Sequence, residues 1–185
     1  MSRAWMAAGL LAMLAMRGVC AGDSDPPTSV YQLEARLTDQ SGKPVRFDAY
    51  RGHPVLVTMF YASCRATCPL IIDTLRVTER AVPEQRRPDL RVLMISFDPK
   101  RDTPAALANL AKERRIDPAR WTLATTDPDT VRTLAALLQV QYREMPGGEF
   151  SHSSAIVLLS PHGEILARTA ELGHADPGIL QALTR

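Results

Sequence analysis

The chain has 185 residues, 45% of them hydrophobic, which suits one compact domain plus a short N-terminal extra. Lys and Arg total 22 against 20 Asp and Glu. Arg3 and Arg17 are the only charges in residues 1–21, so the remaining body is balanced, which excludes the basic footprint of a nucleic-acid binder and argues against long disorder.

The N-terminus predicts an export signal. Arg3 gives a positive start, Met6 to Met16 form an apolar stretch shorter than the ~20 residues that span a bilayer, and Val19-Cys20-Ala21 presents small residues for cleavage after Ala21. An uncleaved anchor and lipidation at Cys20 are the alternatives, and both would associate the protein with the membrane. The predicted layout is a signal peptide over 1–21, a linker over 22–29 and one domain over 30–185.

Val30–Leu37 alternates like a strand, Asp39-Gln40-Ser41-Gly42 is a turn, and Val45–Phe47 completes a hairpin. Val55–Phe60 is an unbroken β-favouring run of the kind buried on both faces. A helix is predicted from about Pro69 to Arg80, a second buried strand over Arg91–Phe97, and a helix capped by Thr103 with Pro104 at its first position, running to about Arg115. Trp121–Leu123 is a short strand and Asp129–Leu138 a helix whose start Asp127 and Asp129 favour. Ser154–Leu159 and Glu164–Arg168 pair around Pro161-His162-Gly163, and Pro177–Leu183 closes as a helix. This order predicts an α/β layered fold of thioredoxin-like layout, with an N-terminal β-hairpin extension and a C-terminal β-hairpin plus helix.

With Cys20 removed, the mature chain keeps Cys64 and Cys68. A strand followed by cysteines at a helix start is a setting in which thiolates form, because unpaired N–H groups and a partial positive charge gather there. The spacing is C-x-x-x-C. On a helix such a pair has Cβ atoms ~5–6 Å apart. A disulfide wants roughly 3.5–4.5 Å, whereas one metal ion bound at about 2.3 Å per sulfur accepts more separated thiolates. The spacing favours metal and leaves reversible oxidation of a redox-active Cys64–Cys68 disulfide open. A purely structural bridge over so small a loop would stabilise little.

Two thiolates suit Cu(I), and an added imidazole extends the site to Cu(II). Of four histidines, His53, His162 and His174 read as solvated loop residues. His152 closes the loop Met145–Ser151 just before a β-favouring run, where it is as readily structural as ligating. Met59 and Met94 read as core, and Met145 as adaptable packing. A thiol peroxidase and a Cys2His zinc site are competing readings of the same residues.

Three segments together resemble the Sco/SenC family of copper chaperones for cytochrome oxidase assembly. They are Phe60-Tyr61-Ala62-Ser63-Cys64-Arg65-Ala66-Thr67-Cys68-Pro69, Ser96-Phe97-Asp98-Pro99-Lys100-Arg101-Asp102-Thr103-Pro104, and His152-Ser153 before a strand ending in Ser160-Pro161-His162-Gly163. The resemblance implies a thioredoxin-like fold with Cys64, Cys68 and His152 as ligands of copper, as Cu(I) and Cu(II). It further implies delivery to the copper-bearing subunit of a respiratory oxidase, exchange with another periplasmic copper carrier, and residence in the periplasm or on the outer face of the inner membrane. Asp98 is assigned a supporting role behind the ligands, and Asp102 and Thr103 a helix cap. The family carries Pro and an acid between its cysteines, where this chain has Arg65-Ala66-Thr67. A cation there would further favour thiolates. The second functional reading is a thiol–disulfide oxidoreductase that reduces a client's copper-binding cysteines.

Overall fold

The computed structural model describes residues 25–64 and 67–184. The expected signal peptide, Cys20, and Arg65-Ala66 of the cysteine loop lie outside them. Among the described residues no helix is long and apolar enough to cross a membrane.

Among the described residues, nine strands and four α-helices follow in chain order: β1 Arg36–Asp39, β2 Pro44–Arg46, β3 Val55–Phe60, α1 Thr67–Ala81, β4 Arg91–Ser96, α2 Pro104–Glu113, β5 Trp121–Thr125, α3 Pro128–Leu137, β6 Tyr142–Glu144, β7 Phe150–His152, β8 Ile156–Leu159, β9 Ile165–Thr169 and α4 Pro177–Thr184. Seven strands form one sheet in the order β2-β1-β5-β4-β3-β8-β9, and β6 and β7 pair separately. All six residues of β3 are buried, as its sequence requires: it lies between β4, parallel, and β8, antiparallel, with helices over the sheet. The layout is the expected thioredoxin-like one, the β1–β2 hairpin extending the β5 edge and β8, β9 and α4 closing the other side.

The β3–α1–β4 and β4–α2–β5 crossovers step the same way across the sheet, and right-handed connection puts α1 and α2 on one face. The Arg76 guanidinium of α1 accordingly donates to the carbonyl of Arg114, just past α2. Ile71, Ile72 and Leu75 anchor α1, each at most 1% exposed. Burial of this kind is worth about 1.5–3 kcal/mol per side chain. The predicted cap of α2 is present, Thr103 Oγ1 accepting from the Ala106 N–H; Asp127, expected to favour the start of α3 by its charge, caps it, its Oδ1 accepting from the Asp129 and Thr130 N–H groups.

The expected strand over Val30–Leu37 is shorter in fact. Val30–Gln32 form a 3-10 turn capped by Ser29, and the strand begins only at Arg36. The turn is held against Pro161-His162-Gly163, since the Val30 N–H donates to the Gly163 carbonyl at 2.9 Å and the Ser29 hydroxyl to that of His162 at 2.6 Å. Gly163, at φ +80°, allows this approach; a Cβ there would meet the Ser29 Oγ and the Tyr31 ring at 2.5 Å. A second difference is the β6–β7 hairpin: β7 takes Phe150 and Ser151 out of the expected loop over Met145–Ser151, and β6 is a strand where no element was expected.

Candidate metal centre

The C-terminal ends of β3 and β4 deliver two loops to one end of the sheet, and β6–β7 folds over them. The β3 loop carries Cys64, whose N–H donates to the Tyr61 carbonyl at 3.2 Å. Helix α1 begins at Thr67, two residues before the predicted start. Pro69 therefore stands third in the helix, still within the first turn, where a missing N–H forfeits no intrahelical bond. Cys68 lies inside that turn, and its N–H points at Cys64 Sγ, 3.4 Å away. One of the orphan N–H groups of the helix start is thus given to a sulfur, the helix-end interaction the sequence predicts. Cys68 itself departs from that expectation. Burial pushes its thiol pKa up, partly countered by a backbone hydrogen bond from the Tyr61 segment. Unaided, Cys68 holds its proton; a soft cation that takes the sulfur would displace it.

His152, the last residue of β7, pairs in register with Tyr142 of β6. The hairpin is seated by aromatic rings: Phe97 stacks on Tyr142 with centroids 5.3 Å apart and meets Phe150 edge-on at 5.1 Å. The imidazole packs against Phe97 at 5.1 Å and Tyr61 at 5.9 Å. Its Nδ1 lies 3.2 Å from the Ser153 carbonyl, so a proton on Nδ1 is accepted there and Nε2 keeps a lone pair.

Ligand atoms of Cys64, Cys68 and His152 all lie within 4.8 Å of one another, with both cysteines buried and the imidazole half-buried. A trigonal ion with bonds of about 2.0–2.3 Å separates its ligand atoms by roughly 3.7–4.0 Å, so small movements would close the three around one soft cation. His53, His162 and His174 join no three-ligand group among the described residues; His174 instead pairs with Glu171 at 3.2 Å on the surface. Met59 and Met94 are core, as expected, and Met145 is exposed.

The two acids of the second motif do different work. Asp98 is buried, and its carboxylate pairs with the Arg101 guanidinium. Arg101 in turn lies over the Phe150 ring, 5.4 Å from its centroid, and against Gly148, where a Cβ would collide with it. Asp98 therefore touches the hairpin that carries His152 through Arg101. Asp102 was read only as part of a helix cap, but Thr103 fills that position, and the Asp102 carboxylate turns inward. Its Oδ2 accepts from the Ala62 N–H at 2.8 Å and the Ser96 hydroxyl at 2.5 Å. It thereby ties the cysteine loop to the end of β4. Burial raises its pKa, with those two hydrogen bonds acting in the opposite direction. The sequence signal for this residue was an acid two positions before the first residue of a helix, six residues past the end of a buried strand.

The SCO1/SenC family profile matches residues 25–184 of the chain. Among curated relatives, the human mitochondrial protein SCO1 homolog is 30% identical over 136 residues, 70% of this chain and 44% of its own length. The chain thus spans under half of that relative. Among solved structures, Arabidopsis thaliana ScoI with copper bound superposes with a TM-score of 0.71 at 21% identity, covering 80% of this chain and 93% of that one. A SCO1/SenC family lipoprotein from Bacillus anthracis gives 0.71 at 18%, covering 81% and 90%. At these identities the two structures speak to the fold. The family profile spans nearly the whole described body, cysteine loop and His152 included, and the chain belongs to the SCO1/SenC family.

Proposed function

We propose that this protein is an exported copper carrier that binds one copper ion through Cys64 Sγ, Cys68 Sγ and the His152 imidazole and passes it to the copper-bearing subunit of a respiratory cytochrome oxidase. The observation that carries the reading is the convergence of two sulfurs and one imidazole nitrogen to within 4.8 Å. Two thiolates hold Cu(I), and the imidazole makes Cu(II) acceptable as well. Family membership and the copper-bound Arabidopsis relative support copper as the cargo. The lipoprotein relative from Bacillus anthracis supports export, to the periplasm or the outer face of the inner membrane, with residues 1–21 as the signal. Another periplasmic copper carrier is the proposed source of the metal.

Asp98 is proposed to steady the site through Arg101 and the hairpin rather than by touching a ligand. A second reading, thiol–disulfide exchange with a client's copper-binding cysteines, is favoured by the Cys68 N–H aimed at Cys64 Sγ, which steadies a thiolate there. The two readings separate at His152. His152→Ala is expected to weaken Cu(II) binding at least tenfold and leave reduction of a test disulfide within about twofold of wild type. Parallel loss of both activities contradicts the division.

A further inference from the structure

Helix α1 carries a stripe whose chemistry changes along its length. Cys68, Ile72, Arg76 and Arg80 follow at four-residue intervals, each next to the one before it, in a stripe that winds about 120° around the helix from buried Cys68 to exposed Arg80. Cys68 and Ile72 line a cavity of about 520 Å³ together with Glu113 and Arg114 at the end of α2. Arg76 and Arg80 line the adjoining cavity, about 230 Å³, with Arg115 and Arg120. The Arg76 guanidinium, bonded to the Arg114 carbonyl, joins the two. Twelve helical residues separate Cys68 from Arg80, roughly 18 Å.

The two ends of this groove differ in charge. At the far end both lining carboxylates are engaged by one cation, Arg120, which pairs with Glu79 at 3.0 Å and Asp117 at 3.1 Å. Glu79 also accepts from the Trp121 indole at 3.0 Å. Arg76, Arg80 and Arg115 are left to set the sign there; Arg76 reaches Asp73 only at 3.5 Å, and Arg80 and Arg115 are exposed. At the thiol end the charged lining is Glu113 and Glu149 against Arg114, so acids outnumber the cation there.

We propose that this groove docks an extended segment of a partner protein that places a cysteine at Cys64 and Cys68 and acidic side chains against Arg76, Arg80 and Arg115. At 3.3–3.4 Å per residue, 18 Å is about five residues, so the partner's acids stand about five positions from its cysteine. Guanidinium groups pair with carboxylates and repel lysine. The inference rests on the cysteines being the point of exchange and deepens that reading by naming what recognises them.

The test uses the reduced full chain and two synthetic peptides. Each has a cysteine joined by a disulfide to thionitrobenzoate, a Gly/Ser spacer that sets the charges five positions away, and then three aspartates or three lysines. A protein thiolate attacks the peptide sulfur and forms a new S–S bond as the old one breaks. Thionitrobenzoate leaves with the electron pair and is read by absorbance, and the protein's thiol proton goes to the buffer. The aspartate peptide is expected to react about tenfold faster at low salt. Salt of ~0.5 M should erase most of that gap, as should placing the aspartates next to the cysteine. Arg80→Glu with Arg115→Glu is expected to abolish the preference, and Arg80→Lys to keep it. Equal rates for the two peptides overturn the proposal, as does a preference that ignores spacing or survives the double reversal. Cu(I) titration of the same samples separates this from the copper reading: the arginine variants are expected to bind as wild type, and a chain that binds no copper while still choosing the aspartate peptide keeps the groove and loses the carrier.

Discussion

Tyr61 donates its hydroxyl to Glu149 Oε2 at 2.7 Å and so fastens the cysteine loop to the tip of the hairpin that carries His152. Burial and the facing carboxylate both push the phenol pKa up, which keeps Tyr61 the donor. The sulfurs come from one limb of this clasp and the imidazole from the other.

Tyr61→Phe keeps the ring against Phe97, Phe150 and His152 and removes only the clasp. A hydrogen bond to a charged group contributes about 1.5–3 kcal/mol buried and less in a half-open site. Cu(II) affinity is expected to fall roughly fivefold and Cu(I) affinity, carried by the sulfurs, to stay within twofold; competition titrations with a chelator for each oxidation state check this.

Asp98→Asn should act on the same limb. It weakens the pairing with Arg101, and through it the hold on Phe150 and Gly148. The Cu(II) absorption bands are expected to broaden or shift with little change in thermal midpoint. Unaltered spectra would leave Asp98 as a strand-end residue and nothing more.

Asp102 gives a pH dependence with a definite sign. Its folded pKa is raised by burial, so the folded state binds a proton more readily than the unfolded chain. The stability linked to that proton is full below the unfolded value of ~3.9 and is lost as pH rises through the folded one. Denaturant titrations should show a falling contribution across that window, and Asp102→Asn should flatten it. Asp102→Ala, which strands the Ala62 N–H and the Ser96 hydroxyl, is expected to destabilise by about 1–3 kcal/mol.

Gly163→Ala tests the far end of the molecule. It combines φ +80° with contacts at 2.5 Å to Ser29 and Tyr31. The expected loss is more than ~1 kcal/mol of stability with copper stoichiometry unchanged. A loss of copper from the folded variant would mean the two ends are coupled.

Much of this was legible beforehand for physical reasons. The buried strands β3 and β4 announce themselves by unbroken apolar runs, and Thr103, Asp127 and Gly163 mark caps and a turn that only such residues make well. The misses share a cause too. β6 and β7 have three residues each and are held by rings from β3 and β4 loops distant in sequence, a tertiary effect that local pattern does not carry. Val30–Gln32 has a strand's alternation, but Ser29 and the 160–164 turn hold it as a 3-10 turn. Helix α1 starts ahead of Pro69 because a proline is accommodated anywhere in the first turn, so its presence does not single out the first helical residue. Asp102 was hidden because an acid before a helix reads as a cap, and only the fold brings Ala62 and Ser96 to it. The cysteine pair was plain from spacing, while His152 was singled out only by the family resemblance, because its own neighbours in sequence suit a structural histidine equally well.

X-ray absorption of the reduced protein loaded with one copper tests the three-ligand site most directly. A shell of two sulfurs and one imidazole nitrogen is expected, reduced to the sulfurs alone in His152→Ala. A spectrum showing sulfur alone, identical in wild type and His152→Ala for both oxidation states, would contradict the three-ligand site.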